Sequence, residues 1–196
     1  MRRADGVLVL SLFLAGGLAG LLYDQIHVRG GVIHYADPLL FGQPWWVGPQ
    51  YGLATATAVL AGRRFVPARP STGRTVVAAG CFLAAYCATA GFNAFAVPLA
   101  AALVAVWLAQ LLARPAAEQM RAALFCVAVA VVGTSYEAVL TSTGAFRHRR
   151  PDVLGVPYWL PALYLLGGLL ALAVSPSVTR DRPSSSPSAS PRPGVR

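Results

Sequence analysis

The sequence predicts an all-α protein, an integral membrane bundle of six transmembrane helices. Three observations predict it. No residue between Arg74 and Arg114 carries a charge. A bilayer core about 30 Å thick takes roughly 20 apolar residues at the helical rise, so this stretch is two spans back to back, with the turn at Gly91-Phe92-Asn93. Composition agrees: 56% of residues are hydrophobic and 12% charged, where a soluble domain carries about 25% charged. Apolar runs bounded by arginines, glycines and prolines then account for nearly everything before Ser175.

The first run, Gly6–Ile26, follows Met1-Arg2-Arg3, which is how a secretory signal begins. It is long for the apolar region of such a signal and no Ala-x-Ala-like site follows, so it is expected to remain as the first helix. The later spans are expected at Pro44–Gly62, Thr75–Ala90, Ala94–Ala113, Met120–Leu140 and Tyr158–Val174. Pro49, Pro98 and Pro161 fall inside three of them and are expected to open those helices locally, each removing a backbone donor. Gly16-x-x-x-Gly20, the Ala/Gly-rich third span and Gly167-Gly168 allow close helix approach, and with it self-association. Residues 1–174 thus form one transmembrane domain. The Ser/Pro/Arg-rich tail of 175–196 has no apolar period to offset its ordering entropy and is expected to be disordered.

Arginines set the topology. Arg2, Arg3, Arg63, Arg64, Arg69, Arg74, Arg114, Arg121, Arg180, Arg182, Arg192 and Arg196 fall on the side holding both termini, and only Arg29, Arg147, Arg149 and Arg150 on the other. The positive-inside rule therefore puts both termini in the cytoplasm. The net charge of +9 is a topology signal, and no aromatic-interleaved basic stripe points to nucleic acid.

Among residues with chemistry, Cys81, Cys87 and Cys126 sit inside spans without C-x-x-C spacing and read as packing residues. There is no phosphate-binding Gly loop, G-x-S-x-G elbow or H-E-x-x-H helix. The topology would bring Asp24, His27, His34, Glu137, His148 and Asp152 to one face, where His and carboxyl groups support an alternative reading as a small metal-dependent or lipid-modifying membrane enzyme. Glu137 is the acidic residue well inside a span. Either it belongs to a functional site, or it reaches the interface or bonds Ser135, Thr141 or a backbone carbonyl. The spans show no paired charges and no inverted repeat of the transporter kind.

Specific strings then point further. Trp45-Trp46-Val47-Gly48-Pro49-Gln50-Tyr51-Gly52 resembles the Trp-Trp-Val-Pro-Pro-x-x-Gly signature of the insulin-induced gene (Insig) family. Pro151-Asp152-Val153-Leu154, Trp159-Leu160-Pro161 and Gly167-Gly168 are similar in type and spacing to that family's fifth loop and sixth helix. The resemblance runs from Trp45 to Val174 with gaps. It implies six spans and a non-enzymatic regulator that binds oxysterol in the membrane and holds sterol-sensing partners in the endoplasmic reticulum. It also implies that Trp107 aligns with a tryptophan lining the family's sterol site. The accompanying glutamine and Asp of eukaryotic members fall at Ala94 and Leu111, and the polar positions of the third helix at Tyr86-Cys87-Ala88-Thr89-Ala90. The short chain and its Ala/Arg/Gly bias resemble a bacterial homologue.

Loss of those polar positions shifts the expected ligand toward a diglyceride-like lipid, with a sterol-like one as the variant. Two acyl chains would fill an apolar cavity and a small head would need one or two donors or acceptors. Gln50, Tyr51, Tyr86 and Glu137 are the candidates for the head, and Trp46, Phe95 and Trp107 for the walls. No cofactor, metal or catalytic residue is expected. Expected partners are a membrane lipid, further copies of the chain as dimer or trimer, and a membrane protein; the expected location is a bacterial inner membrane.

Overall fold

The structure, a computed structural model, describes residues 3–65 and 71–175, with the side chains of Arg3 and Ala4 left out. The tail beyond Ser175 lies outside them, as do Arg2 and Arg69. Among the described residues there are six helices and two short strands: α1 (Arg3–Arg29), β1 (Ile33–Tyr35), α2 (Val47–Phe65), α3 (Thr72–Gly91), α4 (Ala96–Leu112), α5 (Ala116–Ser142), β2 (Phe146–His148) and α6 (Leu160–Val174). Each helix overlaps one of the expected segments, and α3 turns into α4 at Gly91-Phe92-Asn93. The strands have no counterpart in the sequence reading.

Helices over Asp5–Arg29, Thr72–Gly91 and Ala116–Ser142 are long and apolar enough to cross a bilayer, while α4 and α6 are apolar but shorter. The helices α1 and α6 face different surroundings. On α1, Val7, Leu10, Leu14, Leu18 and Leu22 form a stripe at helical spacing, each more than half exposed, a surface suited to hydrocarbon and not to water. On α6, residues from Leu160 to Ala173 are buried on nearly every side, against α2, α3, α4 and α5. Its all-round apolarity is that of a central core helix.

The prolines do not open the helices. Pro49, Pro98 and Pro161 lie at the third, third and second residues of α2, α4 and α6. There a backbone N–H has no intrahelical acceptor anyway and the fixed φ suits the first turn, so they start helices that begin later than the sequence suggested. Gly16-x-x-x-Gly20 is also used differently from the expectation. A Cβ on Gly16 would overlap Thr55, one on Gly20 would overlap Tyr51, and one on Gly17 would come 2.9 Å from the Gly48 carbonyl oxygen. The motif seats α2 on α1 within one chain, so it is not a free surface for self-association.

The chain also contains an internal repeat, which the sequence reading missed. Tyr23, Gly31, Pro38, Gly42, Pro44, Trp46 and Tyr51 recur as Tyr136, Gly144, Pro151, Gly155, Pro157, Trp159 and Tyr164, all at the spacing that separates Asp24 from Glu137. The backbone repeats with them. Phe41 and Gly42 have φ of 52° and 82°, Leu154 and Gly155 of 51° and 80°. Each pair forms the centre of a two-residue hairpin, bridged Leu40↔Gln43 and Val153↔Val156, with positive φ at both central residues as a type I′ turn requires. A glycine is needed at the second position, because a Cβ on Gly42 would meet Val28 and one on Gly155 would meet Thr141, themselves equivalent positions.

Strand β1 pairs antiparallel with β2, Ile33↔His148, His34↔Arg147 and Tyr35↔Phe146. This ladder maps onto itself when the halves are exchanged, with His34 and Arg147 astride the axis. The axis that relates the two α–β–α units passes through the middle of this ladder. The pair α3–α4 sits between the two units in the chain.

Candidate functional site

Each repeat carries a carboxyl group one helical turn and a loop before its strand, and the strand supplies its partner. In the first, Tyr35 Oη donates to Asp24 Oδ2 at 2.9 Å. In the second, at equivalent positions, His148 Nε2 lies 3.0 Å from Glu137 Oε2. Burial, with the Asp24 carboxyl beside it, pushes the Tyr35 hydroxyl well above the ordinary tyrosine value, so it stays a donor at any working pH.

The copies differ in what closes the carboxyl. Gln43 Nε2 donates to Asp24 Oδ2 at 2.8 Å and to the Leu21 carbonyl at 3.0 Å, so Asp24 is sealed, 1% exposed. The equivalent of Gln43 is Val156, which has no donor to offer. Glu137, one methylene longer, instead accepts from Tyr164 Oη at 2.6 Å and reaches a cavity lined by His27, Tyr51, Tyr86, Glu137, His148 and Tyr164, with Ile33, Phe82, Leu160 and Leu163 as apolar walls. Its partners are thus Tyr164 and His148, and not Ser135, Thr141 or the backbone.

Hydrogen-bond accounting assigns the protons. Thr89 Oγ1 lies within 3.0 Å of the Ala85 and Tyr86 carbonyls and spends its single proton on them. His27 Nε2, 2.7 Å from Thr89 Oγ1, must then be the donor. The ring stacks on Tyr86 at 4.6 Å. In His148 the Nε2 proton faces the Glu137 carboxyl, which leaves Nδ1 as an acceptor, buried and with no partner. Tyr51 Oη and Tyr86 Oη are 3.4 Å apart; one can donate to the other, and the remaining proton has no protein acceptor. Two polar groups without a full set of protein partners thus belong to lining residues, His148 Nδ1 as an acceptor and one hydroxyl of the Tyr51–Tyr86 pair as a donor. The cavity volume is about 20 Å³, room for a small polar group or one water and for no acyl chain.

Of the residues expected at a lipid site, the structure brings Tyr51, Tyr86 and Glu137 together. Gln50 stands beside them: its Oε1 accepts from Tyr136 Oη at 3.1 Å, bridging α2 to α5 next to the cavity. Trp46 packs edge-on against Tyr35 at 5.5 Å, and Phe95 is exposed at the start of α4. Trp107 does not line the cavity. It lies buried in the core with Cys126 and the leucines of α6, its indole nitrogen without an oxygen or nitrogen partner and the Cys126 thiol close by. Trp107→Ala should lower stability by about 3–5 kcal/mol, read as thermal unfolding in detergent, without selectively emptying a site that the residue does not touch.

Of the Asp24, His27, His34 and Glu137 face, His27 and Glu137 meet at the cavity together with His148, while the other two stand apart. Asp24 is sealed, His34 points outward from β1, and Asp152 accepts the Tyr158 backbone N–H at 2.9 Å. Among the described residues no group of three His, Cys, Asp or Glu side chains could hold a metal. Sequence reasoning missed Tyr35, Gln43 and Tyr164, whose partners lie on other elements. The recurrent Gly-x-Pro-x-Trp of residues 42–46 and 155–159 is the signal that would have found the repeat and, through it, Tyr164.

No family model and no curated protein matches the chain. Two solved structures do. One is the mycobacterial Insig homolog MvINS from Mycobacterium vanbaalenii, 26% identical over 92% of this chain and 97% of that one, with a TM-score of 0.76. The other is a cross-linked trimer of a cysteine-substituted MvINS, 26% identical over 88% and 93%, with a TM-score of 0.73. The likeness spans both repeats and the helix pair between them, and with the exposed apolar stripe on α1 it supports an integral membrane protein similar to this mycobacterial Insig homolog.

Proposed function

We propose that the protein is a non-enzymatic binder of a diglyceride-like lipid, with six membrane-crossing helices and both termini in the cytoplasm of a bacterial inner membrane. The carrying observation is the pairing of spare groups in the cavity. A free hydroxyl on the ligand donates to His148 Nδ1, and an ester carbonyl accepts the unclaimed proton of the Tyr51–Tyr86 pair. Such a head is neutral, small and bifunctional. A sterol offers a hydroxyl without the carbonyl and satisfies half of the site.

A space this small admits only a polar group of the head, so the rest of the head and the acyl chains lie outside it, along the exposed apolar surface of α2 and α5. Leu53 shares a helix face with Gln50, and Val132 and Val139 with Tyr136, and all three are well over half exposed. The Gln50–Tyr136 bond joins α2 to α5 beside the lining residues Tyr51 and Glu137 and would break as a lipid enters between those helices. A homo-oligomer, as in the cross-linked MvINS trimer, would cover part of this apolar surface. Regulation of a membrane partner would follow from a difference in partner affinity between the filled and empty states.

Native mass spectrometry of the detergent-purified protein, with extraction and identification of what it carries, tests the reading. One neutral lipid class in stoichiometric amount is expected, and Tyr51→Phe with Tyr86→Phe should reduce its occupancy about tenfold, since removing a buried hydrogen bond to a ligand costs about 1–2 kcal/mol. A random mixture of bulk phospholipid in the wild-type protein, or unchanged occupancy in the double variant, overturns it.

A further inference from the structure

At the end of the bundle that carries the β1–β2 sheet, a second and more open cleft of about 160 Å³ lies between the C-terminal ends of α1 and α3 and the residues that follow β2. We infer that this cleft binds the phosphodiester group of an anionic phospholipid, apart from the neutral-lipid site within the bundle. Its lining includes Gly30, Gly31, Asn93, Ala94, Arg149 and Arg150, and no acidic side chain.

Three kinds of donor line it. Neither the Arg149 nor the Arg150 guanidinium makes an ion pair or side-chain hydrogen bond among the described residues. The Arg149 backbone is fixed by its N–H bond to the Val32 carbonyl at 2.8 Å. Its Nη1 lies 3.6 Å from where a Cβ on Gly31 would be, so the guanidinium spreads over a residue that has no side chain and a φ of +64°. Asn93 Oδ1 is taken by Trp159 Nε1 at 3.0 Å, which orients the amide and leaves its NH₂ free to donate. In the α3–α4 turn the Asn93 and Ala94 N–H groups bond to no backbone carbonyl among the described residues. Guanidinium forks, an amide and consecutive free N–H groups around an open cleft are the donor set of a phosphate oxygen site.

The choice of a lipid over a free anion rests on the flanks of the cleft. Phe92 and Phe95, on either side of Asn93-Ala94, are 60% and 61% exposed, and Val97 on the next turn is 64% exposed. An anion held in the cleft would have apolar surface running away from it along α4, where acyl chains can lie.

The test uses the full chain in detergent, titrated with phosphatidylglycerol or phosphatidylcholine and followed by native mass spectrometry, with inorganic phosphate as competitor. Preferential retention of one phosphatidylglycerol per chain is expected. Arg149→Gln with Arg150→Gln should weaken it at least about tenfold, as loss of two charge-assisted contacts implies, while both arginines changed to lysine should keep part of it. Arg150→Gln alone, at an exposed position, gives a milder loss should the double variant fold poorly. Equal retention of the two lipids, unchanged binding in the glutamine variants, or displacement of the lipid by millimolar phosphate overturns the proposal. Neutral-lipid occupancy of the inner cavity is read in the same spectra and is expected not to change, which separates failure at this site from failure at the other.

Discussion

Glu137→Leu is expected to give a protein that unfolds at markedly lower temperature and carries no stoichiometric neutral lipid. The change orphans two buried groups together, Tyr164 Oη and His148 Nε2–H, each at about 1–3 kcal/mol. Glu137→Gln separates stability from recognition. A glutamine can still accept from Tyr164 through its oxygen, but its NH₂ then faces His148 Nε2 and forces that nitrogen to become the acceptor, which moves the ring proton to Nδ1. The spare acceptor of the cavity turns into a spare donor. The variant should stay folded while its preference shifts from lipids with a free hydroxyl toward fully esterified ones. Nitrogen NMR of His148 reads the tautomer and lipid extraction reads the preference; an unchanged tautomer together with an unchanged lipid would remove Glu137 from the recognition role.

Gly20→Val should be the most damaging substitution on α1. Its side chain would have to occupy space that Tyr51 fills, and overpacking of this kind costs about 1–3 kcal/mol, with backbone shifts. Because Tyr51 lines the cavity, separating α2 from α1 also displaces a site residue, so lipid occupancy should fall along with stability. Gly80→Ala is the control. Nothing lies within 4 Å of a Cβ there, and the change should leave stability equal or raise it by about 0.5–1 kcal/mol. Thermal unfolding of the three proteins in one detergent measures both effects, and equal melting of the Gly20 variant and wild type would mean that α1 and α2 do not pack as described.

The helices were legible because charge is sparse within them: the uncharged stretch from Arg74 to Arg114 leaves little choice about α3, α4 and the turn between them. Helix starts were less legible, since a proline inside an apolar run reads as an interruption until backbone shows that Pro49, Pro98 and Pro161 occupy first turns. Apolarity alone also cannot distinguish a lipid-facing helix from a central one, which is why α1 and α6 read alike in sequence and differ in burial. The site was half legible. Glu137 stood out as a carboxyl in a span and His148 as a histidine on the same face, whereas Tyr164 is an ordinary-looking residue that matters because the repeat folds it against Glu137. Trp107 came from resemblance; it packs in the core with α6, outside the lining of the cavity that Glu137 reaches.

A strand ladder that maps onto itself by rotation needs no second sequence to complete it. A polypeptide of half this length could build the same end plate by pairing with its own copy, His34 meeting His34 across the axis. Joining two copies in one chain removes the obligation to be identical. Gln43 can then seal one carboxyl while its counterpart Val156 leaves the other open, and Tyr35 can give way to His148. In such a protein the place to look for activity is where the halves have diverged, because the positions they still share are the ones the scaffold needs twice.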